Sequence, residues 1–402
     1  WAGTSTTVAR GLRLIAEGAL DHGGVEALGD RLGVTSRHLS RLFLQYLGAS
    51  PRSIAQTRRL HFAKKLLDET DLAMTDIALS AGYGSVRRFN DHFRQVYGRS
   101  PSQLRQLGHR TASSGFCINL RYRPPYDYAG VLEFLAARSI PGVELIEQDT
   151  YSRNILIDGE AGSLHITNDA DRHQLRCEIT MLSSRLLMPI VGRVRRMFDL
   201  DADPMEIACG LGADPALAAM VASNPGRRIP GAWDAFEVTI RAIVGQQVSV
   251  KGATTVMGRI AASYGETVDG RLMFPDPARL ARLEPTELPM PQTRARAIST
   301  LAAAVTAGDL QLSAPGVGDK LIDQLTAIKG IGPWTAQYVA MRALSDPDAF
   351  LHNDLVLLKV ARHTLGIESS KELQVRAENW RPWRAYAGMH LWAQAAELKE
   401  KS

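Results

Sequence analysis

The chain has 402 residues, enough for two or three domains at roughly 150 residues each, and its 45% hydrophobic and 22% charged residues are those of a water-soluble globular protein with ample core. No apolar run approaches the ~18 residues of a bilayer span, which excludes a membrane protein, and three scattered cysteines (Cys117, Cys177, Cys209) without a Cys-x-x-Cys pair exclude a disulfide framework, a cysteine zinc site and an iron–sulfur cluster. The net charge of +5 is uneven: residues 1–110 hold 16 Lys+Arg against 9 Asp+Glu and the rest 31 against 33, so the first third predicts a polyanion partner.

The opening lacks a basic stretch followed by an apolar one, so a cytoplasmic protein without a secretory signal is expected. The first residue is Trp1, which predicts a fragment or a processed form.

Residues 1–110 contain an internal repeat. Phe43, Gly48, Ser50 and Pro51 recur fifty positions later as Phe93, Gly98, Ser100 and Pro101. Upstream of each set, residues 27–43 and 77–93 read as a short apolar helix, a glycine-containing turn and an Arg-rich second helix opening on Thr or Ser. That is the helix-turn-helix pattern. Ala55 to Leu67 is helical in period and free of Gly and Pro, so it joins the units rigidly.

Two such units at this spacing resemble the DNA-binding region of AraC-type regulators, including the one inside the Ada methylation-response proteins. The resemblance implies that Ser36–Tyr46 and Ser85–Tyr97 enter the major groove of promoter DNA. Arg37, His38, Arg41, Arg87, Arg88 and Asn90 would then reach base edges, Arg and Asn being able to pair bidentately with guanine and adenine. The plainer alternative is a solvated polar face on a helical bundle.

Gly108 to Gly115 is small and polar, a linker. Beyond it, Leu120–Arg123, Gly142–Glu147, Tyr151–Ile157, Ser163–Ile166 and Gln174–Ile179 alternate as strands, with helices at Val131–Ala137 and Met181–Phe198. From Trp233 onward every long segment reads as helix: Trp233–Gly245, Val250–Tyr264, Gln292–Ala307, Val317–Ile328, Pro333–Leu344, Asp354–Leu365 and Trp383–Lys399. The expected fold is multidomain and mainly α. It comprises a double helix-turn-helix domain (1–108), a linker (109–117), an α+β antiparallel-sheet domain (118–226) and an all-α domain (227–402).

Within that last block, Leu325 to Ala336 reads helix, Gly330-Ile331-Gly332 hairpin, then Pro333 at the first turn of the next helix. Glycines let backbone N–H groups at a helix N-terminus meet a phosphate directly. Asp354 follows some twenty residues on, before another helix, where the bland reading is an N-cap. Asp346 and Asp348 precede the apolar pair Phe350-Leu351, on the wrong side of the motif.

Hairpin, Gly/Pro loop and acidic residue together resemble the signature of the helix-hairpin-helix glycosylase superfamily. Pro124-Pro125-Tyr126-Asp127, Gly245-Gln246-Gln247-Val248-Ser249 and Trp380-Arg381-Pro382-Trp383-Arg384 resemble its AlkA-type 3-methyladenine-DNA glycosylases, from about Asn119 to Glu397. The resemblance implies a monomeric enzyme on damaged double-stranded DNA, with Gly330, Gly332 and Thr335 on the phosphate backbone. It implies a monovalent cation (Na or K) on the main-chain oxygens of Thr326, Ile328 and Gly330, and no other cofactor.

Asp354 becomes the catalytic carboxylate in this reading, stabilising an oxocarbenium-like sugar as an alkylated purine leaves. Trp334, Tyr338, Trp392 and Phe134 match aromatic walls of the base pocket, where a cationic base gains cation–π attraction. At helical spacing, Tyr338 and Phe134 are equally well explained as core. Gln246 and Gln247 open the loop that fills the gap left by the flipped nucleotide, the alternative being a helix-capping pair. Members that also cut the strand carry a lysine where this chain has Trp334, so no Schiff base is expected. Where its relatives place an aromatic after the catalytic Asp this chain has Leu355, and Ala393 follows Trp392, so a shifted substrate range is expected.

Two rivals compete with an alkylbase glycosylase fused to a regulator. One is a transcription regulator whose C-terminal half binds damage but is catalytically weak. The other, an oxidised-base lyase, is disfavoured by Trp334 and the cysteine count. The cysteine-rich methyl-accepting zinc domain that opens Ada-type fusions has no counterpart here, so methyl transfer to cysteine is not expected.

Overall fold

The fifty-residue repeat is a repeat of helix punctuation. The computed structural model describes residues 3–16, 18–21, 23–70, 72–105, 115–181, 183–312 and 318–400. Helices α1 (Gly3–Ala16), α2 (Val25–Leu32) and α3 (Ser36–Leu47) form the first unit. The long α4 (Pro51–Glu69) leads to α5 (Met74–Ser80), α6 (Val86–Tyr97) and α7 (Pro101–Arg105). α3 stops at Gly48 (φ 67°) and α6 at Gly98 (φ 68°), left-handed positions that cost glycine little. Ser50 Oγ then accepts from Ser53 N–H and Ser100 Oγ from Gln103 N–H, with Pro51 and Pro101 starting the next helices. Phe43 and Phe93 are fully buried.

The two units do not close in the same way. The first has its own core of Leu14, Leu28, Leu39 and Phe43. The second does not: Leu66, Ile77, Phe89 and Phe93 lie in one apolar cluster with Ile118, Leu164 and Leu187 of the middle block. Asn119 ties the halves by its backbone, its N–H donating to Glu69 Oε2 at 2.9 Å and its carbonyl accepting from Lys65 Nζ. Of the expected linker 109–117, residues 109–114 lie outside the described residues; Phe116 and Cys117 are already strand.

The middle block is a five-stranded antiparallel sheet, ordered β1 (Phe116–Arg121), β5 (Gln174–Thr180), β4 (Glu160–Asp169), β3 (Thr150–Ile157), β2 (Glu144–Glu147). Helix α8 (Tyr128–Ala136) joins β1 to β2. Leu164 pairs with Ile179 and Ile166 with Cys177, all buried on one face against α9 (Leu187–Met197). The helix expected from Met181 starts later, after a 3₁₀ turn at Ser184–Leu186. Two short helices escaped the sequence reading, α10 (Pro204–Gly212) and α11 (Pro215–Ser223), each opened by an Asp cap and a proline.

The last block packs α12 (Ala235–Val244), α13 (Val250–Tyr264), α14 (Pro277–Ala281), α15 (Gln292–Ala307), α16 (Gly318–Thr326), α17 (Pro333–Ala343), α18 (Leu355–Leu365), α19 (Ser370–Ala377) and α20 (Arg384–Glu400) around a separate core. The reading of α16 from Val317 falls at its start outside the described residues. One correction concerns the block being wholly helical. Thr267–Val268 (β6) and Arg271–Leu272 (β7) form a two-residue hairpin over Asp269 and Gly270, both at positive φ as an Asp-Gly turn requires.

Candidate active site

Three helices of the last block converge on one carboxylate. Asp354 caps α18, its Oδ1 accepting from the N–H groups of Val356 (3.0 Å) and Leu357 (2.9 Å). Two indoles add to the grip: Trp334 Nε1–H of α17 donates to Oδ2 at 2.9 Å and Trp392 Nε1–H of α20 to Oδ1 at 3.1 Å. The cap fixes the carboxylate's direction, and the indoles hold its two oxygens from different sides. Asp348 is committed elsewhere, accepting from Arg384 Nε at 2.8 Å and pairing with Arg381. Leu355, beside Asp354, is 82% exposed.

The aromatic residues separate into front and back. Trp334 and Trp392 are half-buried, whereas Tyr338, one turn along α17, is 5% exposed and stacks on Trp334 with centroids 5.2 Å apart and planes 11° off parallel. Phe134 reaches the same place from α8 of the middle block. Arg138 lies 3.7 Å over its ring and Arg342 4.8 Å, and Arg342 also lies 5.6 Å over Tyr338.

These arginines were not singled out from the sequence. The signal was present: Arg342 stands four residues after Tyr338 on one face of α17, and Arg138 four residues after Phe134, just past the end of α8. Arg342 is buried, donating to Tyr338 Oη at 2.7 Å and to the carbonyls of Pro230 and Gly231 at 2.6 Å. Arg241 of α12 donates to Thr254 Oγ1 at 3.3 Å, and its Nη2 is buried with no partner among the described residues. Burial, with help from the neighbouring guanidiniums, lowers Arg241 to about 10 and also lowers Arg138. Burial alone would raise the Tyr338 phenol, but Arg342, Arg138 and Arg241 outweigh it and bring the group down to about 8.

The hairpin and the Gln loop meet directly. Gln246 Nε2 donates to the Gly330 carbonyl at 2.9 Å and to Thr335 Oγ1 at 3.1 Å, while Arg294 donates to the carbonyls of Val244 and Gln246. The Gln246 side chain therefore points into the hairpin rather than outward. Gln247 is exposed at φ 57°. Gly330 (φ 100°) turns the hairpin, and a Cβ there would crowd Ala297 at 3.2 Å. A Cβ on Gly332 would meet nothing within 4 Å, so that face is open. Thr335 is buried. The Ile328 carbonyl accepts from Ile331 N–H at 3.0 Å, and no His/Cys/Asp/Glu group able to hold a metal occurs among the described residues.

The remaining candidates lie far along the chain on α3 and α6. Thr35 and Ser85 cap these helices through His38 N–H and Arg88 N–H. Arg37, Arg41, Arg87 and Arg88 are exposed, and His38 and Asn90 half-buried. Arg41 donates to His38 Nδ1 at 2.9 Å, and Arg87 stands 4.0 Å from Asp91.

Comparison with known proteins matches three successive family models: a helix-turn-helix domain over residues 28–107, the AlkA N-terminal domain over 117–234, and the HhH-GPD superfamily of base excision DNA repair proteins over 240–385. A Mycobacterium tuberculosis protein named "Probable bifunctional transcriptional activator/DNA repair enzyme AlkA" is 40% identical over 98% of this chain and 81% of its own length. DNA-3-methyladenine glycosylase 2 of Escherichia coli is 34% identical over 68% of this chain and 95% of its own length. Among solved structures, a 3-methyladenine DNA glycosylase from Archaeoglobus fulgidus superposes with a TM-score of 0.61 at 19% identity, covering 69% of this chain and 98% of its own, a likeness of fold.

Proposed function

The chain belongs to the AlkA-type DNA glycosylases of the helix-hairpin-helix superfamily, joined behind an AraC-type helix-turn-helix region, and on that premise we propose that it releases N3- and N7-alkylated purines by hydrolysis at Asp354. The observation that carries the reading is the Asp354 carboxylate gripped by the indole N–H groups of Trp334 and Trp392, beside the stacked Trp334–Tyr338 pair.

The chemistry follows from the leaving group. An alkylated purine carries positive charge in its ring, so its glycosidic bond is weakened before the enzyme acts. As the bond lengthens, the charge passes to the sugar and the base leaves neutral, so no strong acid is required. A carboxylate directed by four donors stabilises that sugar cation without reorganising and orients the attacking water. Trp334, Tyr338, Trp392 and Phe134 hold the flipped base. Gln247, exposed on its turn, fills the vacated gap, and Gln246 positions that loop against the hairpin.

Gly330, Gly332 and Thr335 supply the backbone grip on the strand. The main-chain oxygens of Thr326, Ile328 and Gly330 would hold a monovalent cation there. The Ile328 and Gly330 carbonyls each accept one hydrogen bond and keep a second lone pair for it. The cation would add positive charge facing a phosphate. With Trp334 in place of a lysine, the enzyme is monofunctional and leaves the abasic strand intact. The exposed arginines of α3 and α6, with His38 and Asn90, contact promoter DNA.

The test is chromatography of bases freed from dimethyl-sulfate-treated duplex by the whole chain. Release of 3-methyladenine and 7-methylguanine supports the reading. Retention of the methylated duplex with no base freed would favour a damage-binding regulator instead.

A further inference from the structure

A cavity of about 40 Å³ lies where the end of α8, β2 and β3 of the middle block meet α12 and α17 of the helical block. Four of its lining residues are arginines, Arg138, Arg153, Arg241 and Arg342, and three are acids, Glu144, Asp234 and Glu237. The lining therefore carries one positive charge in excess. Burial raises Glu237 to about 7, so near neutral pH it is partly protonated and the excess grows.

The three acids are turned to other partners. Glu144 accepts from Arg153 at 3.0 Å, from Tyr151 at 2.6 Å and from the Ile140 N–H at 2.8 Å. Glu237 pairs with the same Arg153, and Asp234 caps α12 through the N–H groups of Phe236 and Glu237. Among the described residues these carboxylates pair with Arg153 and with none of the other three arginines.

Two buried donors are left over. Arg241 is 8% exposed and its Nη2 has no partner among the described residues; Arg153 is 4% exposed and its Nε has none either. Arg342 and Arg138 stand close enough to Arg241 to join burial in lowering it. A buried guanidinium with an unmade hydrogen bond and like charges beside it is destabilising on both counts.

We propose that this cavity is a binding site for a small monovalent anion, a halide such as chloride, which accepts from Arg241 and balances the guanidiniums of Arg138 and Arg342. The ligand class follows from what the lining lacks. It must bring negative charge, which a water does not. It needs only to accept, because the unpartnered lining groups are N–H donors. It must also fit: roughly 10–15 Å³ suffices for one water, so this cavity takes a halide with a water beside it and not a nucleotide.

The anion would fasten the two blocks at the place that carries the candidate base-pocket aromatics. Arg138 and Arg342 lie 3.7 Å and 4.8 Å over the Phe134 ring, and Arg342 donates to Tyr338 Oη at 2.7 Å. Holding these arginines together steadies both rings. The inference goes beyond the glycosylase reading and stands without it, since the anion binds whether or not any base is released.

The test melts the whole chain, without DNA, in sodium chloride, sodium bromide and sodium gluconate at equal ionic strength. Gluconate carries the same charge and is too large to enter. For a site half-filled at about 1 mM, halide at about 100 mM should raise the melting temperature about 3–5 °C above gluconate, along a saturating curve. Arg241→Gln removes both the excess charge and the unpartnered donor, so it should melt alike in halide and gluconate. Equal melting of the unaltered chain in all three salts, or a halide effect undiminished in Arg241→Gln, overturns the site. A second reading needs no variant: in crystals of the unaltered chain soaked in bromide, anomalous scattering should place one bromide in the cavity against Arg241. Bromide found only at surface arginines overturns the inference whatever the melts show.

Discussion

Asp354→Asn leaves the helix cap in place and removes the charge. The amide oxygen can still accept from Val356 and Leu357, and Asn caps as well as Asp, so α18 stays formed with a stability change within about 1 kcal/mol. The amide nitrogen, however, now faces the Trp334 indole N–H, donor against donor, where Oδ2 accepted at 2.9 Å. A full negative charge about 4 Å from a forming sugar cation, at an effective dielectric of about 20, is worth about 4 kcal/mol. That corresponds to about a thousandfold in rate. Single-turnover release of 3-methyladenine should therefore fall about a thousandfold, while binding to tetrahydrofuran duplex stays within a few-fold of the parent. Asp354→Ala should lose as much activity and a further ~1 kcal/mol of stability with the cap. An Asn variant that is folded and releases base within tenfold of the parent refutes the carboxylate's role.

Three other outcomes follow from particular residues. Borohydride should trap no enzyme–DNA adduct on an abasic duplex, since Trp334 offers no amine; a trapped adduct contradicts monofunctionality. His390 is buried and its imidazole is lowered to about 4, by burial first and by Arg227 second. Between pH 7 and pH 5 the unfolded chain binds a proton there that the folded chain refuses, so this residue removes about 2 kcal/mol of stability over that window. Denaturant melts of the parent and of His390→Gln at both pH values should show the difference shrinking at pH 5; a constant difference contradicts it. Finally, undamaged duplex should bind the whole chain with a steeper slope of log affinity against log salt than residues 115–402, because the net +7 lies upstream. The reverse order contradicts the charge argument.

The repeat was legible because its residues are punctuation. Gly48 and Gly98 stand where φ is positive, Ser50 and Ser100 cap, and Phe43 and Phe93 fill, so local chemistry alone demanded them. Asp354 was legible for the same reason, as a cap at a fixed distance from a Gly-rich turn. The grip on it was only half visible: Trp334 and Trp392 lie twenty and thirty-eight residues away, and nothing local says that both indoles aim at one carboxylate. The shared core of α4–α6 with the sheet was hidden too, because apolar periodicity shows that a face is buried and not what buries it. The arginine cluster draws Arg241 from α12, Arg342 from α17 and Arg138 from the turn just past α8, and nothing local in the sequence brings the three to Tyr338.

That shared core bears on the fusion itself. α4 is fastened to β1 through Glu69, Lys65 and Asn119, so the second helix-turn-helix unit is anchored to the sheet of the glycosylase half. The E. coli relative matches 68% of this chain. In the present chain the second unit instead contributes Leu66 and Ile77 to a core it shares with Ile118.

The charge that Asp354 is held to stabilise can be supplied without any reaction. A duplex carrying a cationic pyrrolidine in place of the damaged nucleotide's sugar mimics the transition state, and the tetrahydrofuran duplex is its neutral counterpart. The whole chain should bind the cationic duplex more tightly than the neutral one by about a hundredfold or more, and Asp354→Asn should reduce this preference to within a few-fold. A preference that is absent in the unaltered chain, or undiminished in the variant, would contradict the charge stabilisation assigned to Asp354.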